Sequence, residues 1–250
     1  MSGHSKWATT KHKKAIVDKT RGKLFAKIIR QVEVAAREGG GDIEANPTLR
    51  TMYQKARSSS IPLDTIEKAI KRGTGELEGV RYETINYEGY APCGVAVIVE
   101  VLSDNRNRTG AEIRSVFSKN GGSISEPGAV SWQFERKGVI VLPKSAGTED
   151  DLMMLGLDAG LEDLEDQGET WQMTTAPTDF NTLHKALDEA KIPYESAELA
   201  MVPTQTVPLD NEADAKKVLR LLDALEDNDD VQNVSANFDI PDAVLELIEL

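Results

Sequence analysis

The stretches GVIVL (138–142), TEDDLMMLGL (148–157), GLEDL (160–164), ETWQMTT (169–175), DFNTLHKALDEA (179–190) and YESAELAMV (194–202) decide the fold. Val139–Leu142 reads as a strand and Glu149–Leu157 as a helix. Two short strands follow near Leu161–Leu164 and Thr170–Thr174, then a helix at Phe180–Ala190 and a strand at Tyr194–Val202. Strands here are rich in β-branched and aromatic residues, and the helices repeat their apolar residues at helical spacing. The order βαββαβ is the ferredoxin-like arrangement, an antiparallel sheet with its helices on one face.

Upstream, Tyr82–Tyr90 and Val95–Leu102 read as strands. Arg108–Asn120 reads as a helix with Ile113, Val116 and Phe117 inward and Gly121-Gly122 at its end, and Ala129–Phe134 as a further strand. This block lacks a second helix and a closing strand. Downstream, Glu212–Glu226 and Val231–Phe238 supply one of each. The expected division is therefore a discontinuous α+β domain, 76–137 and 205–250, with a second ferredoxin-like domain, 138–204, inserted into it. Two consecutive domains with a C-terminal helical tail are the simpler alternative.

The first 75 residues differ in kind. From about Asp18, the residues Leu24, Phe25, Ile28, Ile29, Val32, Ala35 and Ala36 make one apolar helical face. Lys23, Lys27, Arg30 and Arg37 fall on the opposite side, and Gly39-Gly40-Gly41 ends the helix. Asn46-Pro47 opens a second helix, with Leu49, Met52, Tyr53 and Ala56 inward. Leu63–Arg72 makes a third, with Gly73 as its stop. Residues 1–17 have few groups that could build a core and are expected to form an extended or mobile arm. The fold class is thus α+β: a basic helical domain, 1–75, followed by two ferredoxin-like domains, the last inserted into the middle one.

Charge follows the same division. The chain of 250 residues has a net charge of −13, but residues 1–75 hold 16 Lys and Arg against 7 Asp and Glu, a net +9. The remainder holds 13 against 35, a net −22. A basic polyanion-binding module joined to an acidic body is the expectation. The candidate contacts are Lys6, Lys11, Lys13, Lys14, Arg21, Lys23, Lys27 and Arg30, with Trp7 and His12 interleaved. Lysine and arginine near phosphate displace condensed counterions, and an aromatic ring can stack on a splayed base. The bland alternatives are a solvated basic face, and Trp7 packed on the helical domain.

A second positive spot is Asp104-Asn105-Arg106-Asn107-Arg108-Thr109, leading into a helix that Asn107 or Thr109 is placed to cap. Arg106 and Arg108 form a secondary anion site if they clamp phosphate. Alternatively they pair internally with Asp104 and Glu88.

Enzymatic signals are poor. The three histidines, His4, His12 and His184, make no metal or nucleophile motif, and the clustered acids lack the glycine of a calcium loop. Gly73-Thr74-Gly75 follows a helix and lacks the third glycine of a dinucleotide loop. Cys93, in a turn between Pro92 and Gly94, has no evident base. No catalytic residue, cofactor or metal is expected. One cysteine cannot form an internal disulfide, and neither a secretory signal nor a membrane span is present in the sequence, so a cytoplasmic location is expected.

Gly3-His4-Ser5-Lys6-Trp7, Lys11-His12-Lys13-Lys14, Arg21-Gly22-Lys23, Tyr87-Glu88-Gly89-Tyr90 and the Asp104–Thr109 run together resemble the YebC/PmpR family, and Thr175-Ala176-Pro177 and Met201-Val202-Pro203 fit as well. The likeness spans the chain in order. It implies a three-domain fold and a probable transcriptional regulator that binds DNA. Members also include a mitochondrial translational activator and bacterial proteins linked to ribosomes translating proline-rich stretches. The resemblance thus implies either DNA or ribosomal RNA as partner. The acidic domains meet a protein partner or only each other. Two departures from the family stand out: Thr10 stands where isoleucine is usual, and Ala91-Pro92-Cys93-Gly94 replaces Gly-Pro-Gly-Gly.

Overall fold

The computed structural model describes residues 18–245, 247 and 248. Three helices open it: α1 (Asp18–Gly39), α2 (Pro47–Ser58) and α3 (Leu63–Thr74). Their apolar faces close on a core of their own, with Ile28, Val32, Leu49, Ala56, Ile66 and Ala69 fully buried. Asn46 fastens α2 to α1. Its Oδ1 accepts from the Leu49 N–H at 3.0 Å, while its Nδ2 donates to the carbonyls of Ala35 and Gly40 at 2.9 and 2.8 Å. Gly73 is not the stop expected of it. It lies inside α3, where a Cβ would sit 2.4 Å from the Glu33 carbonyl oxygen and 2.7 Å from the Ala36 Cβ. Its smallness lets α3 press onto α1, and Gly75, at φ 84°, is the left-handed C-cap.

The first sheet contains β1 (Glu83–Tyr90), β2 (Ala96–Ser103), β3 (Ser123–Ser125) and β9 (Val231–Ala236), in the order β3-β1-β2-β9. Two helices, α4 (Arg106–Lys119) and α7 (Glu212–Glu226), cover it through Ile113, Phe117, Val218 and Leu222. The second sheet contains β4 (Phe134–Pro143), β5 (Leu161–Asp166), β6 (Thr170–Thr175) and β7 (Ser196–Pro203), in the order β5-β6-β4-β7. It is covered by α5 (Glu149–Leu157) and α6 (Phe180–Glu189) through Leu152, Phe180, Leu183 and Leu187. The second sheet has the strand order of a ferredoxin-like fold, 2-3-1-4 in its own chain order, whereas the first runs 3-1-2-4 because β1 and β2 form a hairpin ahead of α4. In the first, β9 comes from beyond the second sheet in sequence and pairs antiparallel with β2, Val97 opposite Ala236. A short parallel pair, β8 (Val207–Pro208) with β10 (Phe238–Asp239), and α8 (Asp242–Leu245) complete the described elements.

One expected strand is absent. Residues 129–133 form no ladder, because the buried Glu88 carboxylate takes the N–H groups of Val130 and Ser131, and that of the preceding Gly128, at 2.8–2.9 Å. Val130 and Phe134 then plug the back of the first sheet against Ala96 and Ile98. The strand that follows α4 is instead the three-residue β3. The strand expected to start near Val139 begins at Phe134 and runs unbroken to Pro143.

Candidate nucleic-acid interface

Six of the expected contacts, Lys6, Trp7, Lys11, His12, Lys13 and Lys14, lie outside the described residues, and Arg21 falls on α1 with its side chain also outside them. Lys23, Lys27 and Arg30 are described, and the spacing of α1 brings them together on one flank. That flank is not bare. It faces the loop 226–230 between α7 and β9. Lys23 Nζ donates to the Asp227 carbonyl at 2.9 Å and lies 3.3 Å from its carboxylate, and Lys27 Nζ donates to the Glu226 carbonyl at 2.7 Å. Arg30 donates to the Asp229 carbonyl at 2.8 Å and the Asp230 carboxylate at 2.9 Å, and its guanidinium lies over the Tyr82 ring at 5.4 Å. Arg37 turns away to Glu33 and the Val80 carbonyl. The cations of α1 therefore cap the C-terminus of α7, where unpaired carbonyls and the helix dipole concentrate negative charge.

Asp230 is the centre of this contact, at 5% exposure. Besides Arg30, its carboxylate receives Arg108 at 2.7 Å and the Thr109 hydroxyl at 2.6 Å. Burial pushes its carboxyl up, but the Thr109 hydroxyl and the Arg108 guanidinium outweigh that and hold it below the usual carboxylate range. Burial also pushes the Lys27 ammonium down, with Glu226 opposing only in part.

The second positive spot divides. Arg108 takes the internal role, bonded to Asp104 at 2.8 Å as well as to Asp230. Its expected partner Glu88 is occupied by the backbone donors of 128–131, so that pairing does not occur. The helix cap is Asn105, whose side chain accepts from the Arg108 N–H, rather than Asn107 or Thr109. Arg106 is exposed and makes no ion pair among the described residues. Cys93 is exposed in its turn. Partial desolvation of the thiol and the nearby Asp214 push its pKa up, the opposite of what activates a nucleophile.

The loop 226–230 is the partner that sequence reasoning missed. A signal for it existed: α7 ends on Asp223, Glu226 and Asp227 with no base in its last turn. Acids at a helix C-terminus are unfavourable alone and call for cations from another element.

A shallow cavity of about 310 Å³ opens on the second sheet beside Asp163, Glu165 and Gln172. No base lines it, so it would repel phosphate. No described helix is long and apolar enough to cross a membrane.

Two family models match the chain. The TACO1/YebC protein N-terminal domain covers residues 5–76, and the TACO1/YebC second and third domain covers residues 82–238. A protein of Thermobifida fusca is 57% identical over 98% of both chains, and one of Halothermothrix orenii 56% identical over 99% of both. A Streptomyces coelicolor protein is 55% identical over the full length of both. Each is named a probable transcriptional regulatory protein. The crystal structure of a conserved hypothetical protein from Aquifex aeolicus, 46% identical, superposes with a TM-score of 0.84 over 91% of this chain and 94% of that one.

Proposed function

The chain belongs to the TACO1/YebC family, and on that premise we propose that it is a non-enzymatic, cytoplasmic regulatory protein that binds DNA through its basic N-terminal segment. The observation that carries this reading is the segregation of charge, +9 in residues 1–75 against −22 in the rest. Phosphate attracts the first segment and repels the second, which orients the molecule on a polyanion. The regulatory role is that of the relatives' names.

Because Lys23, Lys27 and Arg30 hold the loop 226–230, the proposed gripping residues are Lys6, Trp7, Lys11, His12, Lys13, Lys14 and Arg21, with Arg106 as an accessory. The proposed working units are residues 1–75, 76–137 with 205–250, and 138–204. The pairing of β9 with β2 supports this division.

A second reading, ribosomal RNA as the polyanion, is favoured by one observation: Trp7 and His12 stand among the lysines of 6–14, and no described helix carries the Asn, Gln and Arg cluster of a base-reading tip. Crosslinking in cells followed by sequencing of the attached nucleic acid separates the two. Promoter DNA among the crosslinks is the expected result, and a predominance of ribosomal RNA would defeat the DNA reading.

A further inference from the structure

The helix α5 is apolar on both sides, and only one side is covered. Leu152 is fully buried against the second sheet, and Gly156 lets the helix approach β5 so closely that a Cβ there would lie 2.5 Å from Leu161. The opposite face carries Met153, Met154 and Leu157, which are 37%, 75% and 64% exposed. Residues 154 and 157 are neighbours one turn apart, with 153 beside them. From Leu152 to Leu157 the helix is apolar all round, and such a stretch is ordinarily buried on all sides. The three side chains form a patch on the order of 300 Å², the size at which such patches are often functional.

The rim of the patch carries one sign of charge. Glu149, Asp150 and Asp151 stand at one end and Asp158 at the other, all exposed. No lysine or arginine occurs between Lys144 and Lys185. Lys144 is itself occupied, 2.6 Å from the Asp166 carboxylate and 3.0 Å from the centroid of the Trp171 ring. A negatively charged rim repels nucleic acid and anionic lipid. In a two-fold contact between copies of this face, acidic rim would meet acidic rim.

We propose that this face of α5 docks a basic amphipathic helix of a partner protein. The partner's apolar stripe covers Met153, Met154 and Leu157, and its flanking lysines or arginines meet Glu149–Asp151 and Asp158. Methionine suits this role because its unbranched, polarisable side chain moulds to the helix it meets. The contact lies on the acidic body and needs no residue of the basic N-terminal segment, so the molecule can hold a polyanion and a protein together.

The test uses the full chain and three synthetic peptides: leucine and lysine at helical spacing, the same composition scrambled, and leucine with glutamate. Methyl resonances of Met153, Met154 and Leu157 are expected to shift with the first peptide only, and the scrambled peptide to bind at least tenfold more weakly. The variant Met154→Ser/Leu157→Ser keeps the charge and alters only exposed positions. It is expected to weaken the first peptide at least tenfold while thermal unfolding stays unchanged. Equal binding of the scrambled peptide, equal binding by the variant, or methyl shifts absent or confined elsewhere would overturn the proposal. Self-association of the chain that the variant abolishes would overturn it in favour of a second copy.

Discussion

Asp230 holds two guanidinium groups and a hydroxyl at once, and it couples three elements: α1 through Arg30, α4 through Arg108 and Thr109, and β2 through its carbonyl, which accepts from the Leu102 N–H at 2.9 Å. Replacing it with asparagine keeps the shape but turns an NH₂ group toward donors. A fully buried charge left unpaired costs about 3–5 kcal/mol. Arg30 and Arg108 are partly exposed and can turn to water, so Asp230→Asn is expected to cost about 2 kcal/mol in urea unfolding at neutral pH. The folded carboxyl lies below its unfolded value, so the unfolded chain binds the proton first and the stabilisation is lost as pH falls. The gap between wild type and Asp230→Asn should therefore narrow below about pH 4. A gap constant with pH would mean that the carboxylate's charge contributes nothing. Cys93 makes the opposite case. At φ 65° and ψ 13° it occupies the left-handed region, where a side chain costs about 1–2 kcal/mol. Cys93→Gly is expected to raise stability by about 0.5–1 kcal/mol once the extra freedom of glycine in the unfolded chain is counted.

Between elements, close approach decides more than propensity does. Gly73→Ala should help α3 as an isolated helix by up to about 1 kcal/mol. Yet the added methyl would meet the Glu33 carbonyl and Ala36 on α1, at distances that no Cβ occupies. A net loss of about 2 kcal/mol is expected, with α3 and α1 losing amide-exchange protection together. A gain in stability would show that α3 can shift freely. The same contrast explains which elements were legible in advance. The three N-terminal helices, α6, α7 and strands such as Thr170–Thr174 carry strong local periodicity, and they lie where it puts them. The expected strand at 129–134 carried the right residue types as well. It is lost because Glu88, forty residues earlier, captures its backbone donors, and a one-dimensional pattern does not record that contact. The basic flank of α1 was equally visible. Its occupant was not, since the loop 226–230 lies about 200 residues away and announces itself only through the acids at the end of α7, whose last turn holds no base.

Across the whole molecule, the cations of residues 1–75 include some that join units and others proposed to grip the polyanion, and charge reversal should tell them apart. Lys23 and Arg30 join the helical unit to the first sheet's unit. Lys55, 3.6 Å from Glu198 on β7, adds a weaker link to the second sheet. Lys23→Glu/Arg30→Glu would set new carboxylates against Asp227, Asp229 and Asp230. The helical unit keeps its own core, so it should stay folded and detach, seen as a larger radius of gyration in solution scattering, while polyanion binding persists. Lys11→Glu/Lys13→Glu/Lys14→Glu should do the reverse: compactness and thermal unfolding unchanged, binding abolished at near-physiological salt. Each phosphate contact contributes about 0.7–0.9 to the slope of log affinity against log salt concentration. For the residual binding at low salt, the triple reversal should therefore flatten the slope by about 2–3. If the reversal at Lys23 and Arg30 flattened the slope as much, the α1 flank would be gripping phosphate too. The loop 226–230 would then have to leave it whenever the polyanion binds.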